Sequence, residues 1–199
     1  GTLTQNKLHV DRVYVDFAEI FAVEPWKFEK TDTGKTMEEV MALCNEVMTA
    51  TSDTGELTFR GDPTEVAIAE FADQFTGYDT LSDLYESVGG KPFTAEDKYM
   101  YSTYRKENSF YMTVKGAPEV IVDKCTHVQA SNEVNELSPT EKRLLIDTAE
   151  RYADNGLRVL ALAYKMVDDL KSEAENLVFV GFVAMIDPPR PEVPAAVEA

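Results

Sequence analysis

Apolar and polar positions alternate over residues 10–16, with Val13, Val15 and Phe17 on one side, and that period of two predicts a β-strand. The period then changes. After a turn-like TDTGK at residues 31–35, Thr36 followed by Glu39 has the form of a capping box opening a helix. Met37, Val40, Met41, Cys44, Val47 and Met48 recur at helical spacing and read as a core stripe. A second helix is expected to open at Asp62, with Pro63 in its first turn and Glu65 returning a hydrogen bond to the cap. Ala67, Ile68, Phe71, Ala72 and Phe75 give it a buried face, and Gly77 ends it. Residues 81–88, bounded by Gly89 and Gly90, read as a third, shorter helix.

Tyrosines, threonines and valine favour strands over residues 98–106 and 109–115, joined as a hairpin through Glu107 and Asn108. Ser138, Pro139 and Glu141 open another helix, whose stripe is Leu145, Ala149, Tyr152 and Ala153 and whose stop is Asn155 and Gly156. Residues 158–166 and 177–186 complete the strands. The sum is an α+β fold, a sheet covered by helices.

At 199 residues the chain suits a single domain, and no stretch approaches the roughly 20 apolar residues of a spanning helix. No secretory signal opens it, which favours a cytosolic setting. A net charge of −17 argues against nucleic acid as a partner, so an anionic ligand must bind through a local exception. Cys44 and Cys125 have no paired spacing and read as buried thiols. His9 and His127 have no ligand cluster around them, so no metal site is expected. A Walker phosphate loop is excluded, because Tyr85 stands where its first glycine belongs and Pro92 follows Gly90 and Lys91. There is no GxGxxG either.

The most telling local feature is KGAPE at residues 115–119, directly behind a strand. It joins a cation, a flexible backbone and a helix begun by Pro118, an arrangement suited to a phosphate-bearing ligand. GDPTE at residues 61–65, LRVLALA at 157–163 and DPPRP at 187–191 accompany it. Taken in their order along the chain, GDPTE, KGAPE, LRVLALA and DPPRP, the four motifs resemble the nucleotide-binding domain of a cation-transporting P-type ATPase, with the calcium-type pumps most similar.

That resemblance implies a twisted antiparallel sheet flanked by helices, and ATP as the ligand. Phe93, in PFTAEDKYM, matches the phenylalanine that stacks on adenine; by residue type alone it reads as core. Lys98 matches a lysine that reaches the nucleotide, provided that residues 94–97 turn; otherwise it is a surface lysine. Lys115 matches the lysine whose ammonium meets nucleotide oxygens, with Gly116 permitting close approach. Glu65 matches the glutamate beside the adenine amino group, although its place in a capping box competes with that role. Arg158 matches an arginine near the phosphates, or it pairs with one of many carboxylates. Ala95 departs from the family, since many members carry arginine there.

The resemblance also implies an organisation: residues 1–7 as a remnant of the phosphorylation domain, 8–186 as the nucleotide-binding domain, and 187–199 as hinge and returning phosphorylation domain. Lys7 and Asp187 are then expected side by side. The phosphorylated aspartate belongs to DKTGTLT, of which GTLT opens this sequence, so the fragment is expected to be inactive alone. Mg2+ is expected in the parent enzyme only. Partners are ATP and the phosphorylation and actuator domains of a parent pump, and the location is the cytoplasmic side of an integral membrane protein. Two rivals stay open. One is a non-catalytic acidic interaction module, motivated by Ala95. The other is a haloacid dehalogenase-like phosphatase, suggested by the opening TLT.

Overall fold

The computed structural model describes residues 7–187. Seven strands follow one another across a sheet in the order β2 (Ala18–Phe21), β1 (His9–Val15), β11 (Leu177–Ile186), β10 (Arg158–Val167), β7 (Ser109–Gly116), β6 (Tyr99–Lys106) and β5 (Glu86–Lys91). Every pairing along that path is antiparallel. One pairing is not. β8 (Cys125–Ala130) runs parallel to the first residues of β11 and carries β9 (Glu133–Glu136) on its other edge.

Both faces of the sheet are covered. α1 (Pro25–Glu29), α2 (Asp32–Leu43) and α3 (Pro63–Asp73) pack on one face, through Phe28, Met37, Val40, Met41, Ile68 and Phe71 against Leu162, Val180 and Val183. α5 (Pro118–Lys124) and α6 (Pro139–Asp154) cover the other, through Ile121, Leu145 and Tyr152 against Ala161, Ala163 and Phe182. Burial on both sides accounts for the unbroken apolar run of β11, which shows no alternation. A smaller cluster, Ala42, Ala69, Tyr78 and Leu81, lies under α4 (Tyr78–Ser82) and the hairpin of β3 (Met48–Thr51) and β4 (Leu57–Arg60).

The hairpin at residues 98–116, the helix begun at Ser138 and the two long late strands form as the sequence pattern predicts. Ser138 and Glu141 make the full reciprocal capping box, at 3.1 and 2.9 Å. Replacing Ser138 with alanine is expected to cost about 1 kcal/mol in urea unfolding, by orphaning one first-turn donor. A loss below the error of the measurement overturns that expectation.

Other expectations are corrected. α2 begins four residues before Thr36, at Asp32, because the Thr31 side chain caps it by accepting from the Gly34 backbone N–H at 2.8 Å. The cap draws residues 32–35 of TDTGK into the helix, and Gly34 lies so close to the Phe28 carbonyl and the Thr31 hydroxyl that no Cβ fits there. The helix ends at Leu43, leaving Val47 in a loop and Met48 exposed on β3. Residues 81–88 are not a helix. α4 stops at Ser82 and β5 begins at Glu86, since Gly89 and Gly90 belong to a strand in which Gly90 lies against the backbone of Tyr101. Gly77 caps the start of α4 rather than the end of α3. Asp62 caps α3 by accepting from Thr64, and Glu65 takes no part in that cap.

The register of β1 on β11 pairs His9 with Ile186, so Lys7 and Asp187 follow from adjoining strand ends, as expected. The opening GTLTQN and the residues of DPPRP after Asp187 lie outside the described residues. Among the described residues, no helix is long and apolar enough to cross a membrane.

Candidate functional site

The site starts from the end of α2. A helix leaves its last carbonyls without partners, and here side chains from elsewhere supply them. Tyr104 donates its hydroxyl to the Leu43 carbonyl at 2.5 Å, and Lys115 donates from Nζ to the Cys44 carbonyl at 2.7 Å. A cation at this end is favoured by the helix dipole. Lys115 is consequently deeply buried, with only 2% of its surface exposed, and its second partner is the Glu65 carboxylate at 2.6 Å. The other Glu65 oxygen accepts from the Glu46 backbone N–H at 2.9 Å. Burial pushes the neighbouring Cys44 thiol up to about 12 even though Lys115 pulls the other way, so no thiolate competes for the ammonium.

Strand register spreads the site outward from this pair. Lys115 of β7 lies opposite Met100 of β6 and Leu162 of β10. Two-residue periodicity then carries the same face along β10 to Leu160 and Arg158. A cavity of about 450 Å³ opens there, lined by Lys115, Gly116, Glu65, Met100, Phe93 and Arg158, with Glu46, Asp62, Thr64 and Leu160 completing its wall. That volume falls in the range of roughly 300–1,000 Å³ usual for small-molecule sites. Charge varies with depth. Buried Lys115 and its partly covered partner Glu65 form the floor, while exposed Arg158, donating to the Thr64 hydroxyl at 3.1 Å, stands at the rim.

Phe93 is a further wall residue and is 48% exposed, which excludes the core reading. Its loop, residues 92–98, is held by a closed set of bonds. Thr94 Oγ1 accepts from the Asp97 backbone N–H at 3.1 Å, and the Lys98 backbone N–H donates to the Thr94 carbonyl at 2.8 Å. Lys91 meets the Asp97 carboxylate at 2.9 Å, and the Lys91 and Thr94 side chains hold that carboxyl below its usual range.

The turn that Lys98 requires is therefore present, and Lys98 adopts a left-handed backbone conformation, φ 60°, at its end. Its side chain is exposed and is not part of the cavity wall. Gly116 has a different neighbour from the one expected. A Cβ there meets the Lys98 carbonyl oxygen at 2.5 Å and Tyr99 Cβ at 2.7 Å, so the close approach it permits is that of strand β6. The helix after KGAPE turns its first residues away. Pro118 and Glu119 line hollows on the α5/α6 side. Arg158 has no carboxylate partner among the described residues.

Sequence reasoning thus finds Glu65, Phe93, Lys115, Gly116 and Arg158, which the fold brings to one cavity, and Lys98, which it leaves outside. It misses Glu46, Asp62, Thr64, Met100 and Leu160 as wall residues. Met100 and Leu160 were within reach of the strand periodicity once β6, β7 and β10 were in register. Glu46 carries no local signal.

Residues 34–192 match the family model described as P-type ATPase, cytoplasmic domain N. Among curated proteins, the chain is 32% identical over 200 residues to calcium-transporting ATPase 1 of Bacillus cereus, an alignment covering 97% of this chain and 22% of that protein. It is 34% identical over 203 residues to calcium-transporting ATPase 1 of Lactococcus lactis, covering 97% and 22%. With the sodium/potassium exporting P-type ATPase cta3 of Schizosaccharomyces pombe it shares 36% over 167 residues, 79% of this chain and 16% of that one. The chain thus spans about a fifth of the length of these relatives.

Proposed function

The chain belongs to the P-type ATPase family as its cytoplasmic domain N, and from that premise we propose that the cavity binds ATP and presents the terminal phosphate to an aspartate on the phosphorylation domain of a parent pump. The observation that carries this reading is a half-exposed phenylalanine at the mouth of a cavity whose floor is a buried lysine. An aromatic left in solvent beside a cavity suits a flat, apolar ligand face, and the purine supplies one. Adenine lies on Phe93 with its amino group toward Glu65, a carboxylate with lone pairs to spare beyond its two bonds. Lys115, held by Glu65 and the Cys44 carbonyl, keeps one N–H for the ligand. The phosphates leave past Arg158, the rim cation, whose planar fork can hold phosphate oxygens.

Binding and chemistry are then divided between domains. This domain grips and aims the nucleotide, the aspartate on another domain takes the phosphoryl group, and closure of the connection between them sets when transfer occurs. The parent is an ATP-driven cation pump, calcium being the favoured cargo because two of the relatives above are called calcium-transporting, and this domain is on its cytoplasmic side. Mg2+ enters with the nucleotide in the parent enzyme, and the phosphorylation and actuator domains are the partners.

With one stacking contact and few charges, the affinity expected for this chain alone is near millimolar, about −4 kcal/mol. An amide-resolved NMR titration with ATP tests the reading. Saturable shifts at Phe93, Lys115, Gly116 and Arg158 support it; their absence at tens of millimolar, with salt-sensitive binding to basic proteins instead, favours the acidic interaction module. The same titration decides whether Lys98, outside the wall, reaches the ligand.

A further inference from the structure

Three consecutive residues behind α2 all end on the Lys115–Glu65 pair. Cys44 gives its carbonyl to the Lys115 ammonium, and Glu46 gives its backbone N–H to the Glu65 carboxylate. Between them Asn45 acts through its side chain, Nδ2 donating to the Glu65 carbonyl at 3.0 Å and to the Met41 carbonyl at 3.3 Å. Its Oδ1 accepts from the Val47 N–H at 2.9 Å. Only this orientation of the amide matches donors to acceptors, since the reverse sets oxygen against two carbonyls.

Both amide protons of Asn45 are thus engaged by backbone, and it is absent from the cavity wall. It ties the end of α2, whose following Cys44 carbonyl holds Lys115, to the first turn of α3, which carries Glu65. We propose that Asn45 is a positioning residue for base recognition: it acts through Glu65, fixing the backbone that aims the carboxylate so that Glu65 both neutralises Lys115 and turns its remaining lone pairs to the base. This rests on the ATP reading above and deepens it by assigning the selectivity between an adenine amino group and the carbonyl of guanine to a side chain outside the cavity.

The test is a cycle of three variants, Asn45→Asp, Glu65→Ala and the two combined, titrated with ATP and with GTP by amide-resolved NMR. Thermal unfolding is recorded on each. Asn45→Asp keeps the shape and puts a carboxylate oxygen against the Met41 and Glu65 carbonyls. ATP affinity is expected to fall about fivefold, with the ATP-to-GTP preference falling alongside, and to change no further when Glu65 is already alanine. Equal weakening for both nucleotides, or a further loss in the Glu65→Ala background, overturns the assignment in favour of a structural role. Should Asn45→Asp fail to fold, Asn45→Ala, which adds no charge, goes through the same cycle against the same outcomes. A wild-type protein that binds neither nucleotide overturns the ATP reading and this assignment with it. Wild-type binding whose selectivity Asn45→Asp leaves intact overturns this assignment alone.

Discussion

Replacing Lys115 with methionine is expected to lower the unfolding free energy by about 3–5 kcal/mol. Methionine fills similar space, so the loss is electrical rather than a matter of packing. Removing the ammonium leaves the largely covered Glu65 carboxylate, 13% exposed, without its cation, and leaves the Cys44 carbonyl at the end of α2 without a donor. Breaking one half of a buried pair costs more than the pair itself contributes, because the surviving charge keeps its desolvation penalty. A second change separates this account from loss of bulk: Glu65→Gln in the Lys115→Met background removes the stranded charge and is expected to recover part of the stability. Urea unfolding of the wild type, both single variants and the double variant reads the coupling directly. A loss under about 1 kcal/mol in Lys115→Met, the size of an exposed ion pair, contradicts the buried-pair account.

Replacing Phe93 with alanine is expected to have the reverse profile. Stability stays nearly constant, since the ring is half exposed and its loop is held by Thr94, Asp97 and Lys91 rather than by the ring itself. ATP affinity falls by roughly 5- to 150-fold, the equivalent of about 1–3 kcal/mol for a lost stacking contact. From a millimolar start, that puts binding beyond ordinary titration. Phe93→Trp keeps an aromatic face and is expected to retain binding. Unchanged ATP shifts in Phe93→Ala place the base elsewhere, whereas a fall in melting temperature matching the fall in affinity makes the ring a structural element.

The two variants illustrate what the sequence reveals and what it withholds. Periodicity is a strong guide where a strand or helix presents one face to the core: the hairpin of β6 and β7, the capped α6 and the pair β10 and β11 are all legible from it. It fails where tertiary contacts decide. Thr31 rather than Thr36 caps α2, its hydroxyl accepting from the Gly34 N–H where only a glycine clears the Phe28 carbonyl, a contact invisible from spacing. Residues 81–88 look like a helix stopped by Gly89 and Gly90, yet both glycines lie within β5, where Gly90 rests against the Tyr101 backbone. The short β3, β4, β8 and β9 have too few residues for a period to emerge.

The site divides in a similar way. Motifs and a family resemblance pick out Lys115, Glu65, Phe93 and Arg158, but not the reason they meet, which is the register of three strands and the unfilled carbonyls at one helix end. Glu65 shows the limit best. Its spacing from Asp62 suggests a cap, Thr64 takes the cap's bond instead, and the carboxylate is left free to find a lysine 50 positions away.

The ladder between β1 and β11 has a mechanical consequence. The chain enters and leaves the sheet on adjoining strands at one end of that ladder, and β10 and β7, which carry Arg158 and Lys115, are the next two strands over. A torque applied through the two ends therefore passes into the neighbouring strands and turns the cavity wall together with its anchor, like a lever arm fixed to its pivot. A force that pulls the ends apart, by contrast, meets the ladder bonds one at a time, so this lever resists rotation far better than it resists being unzipped.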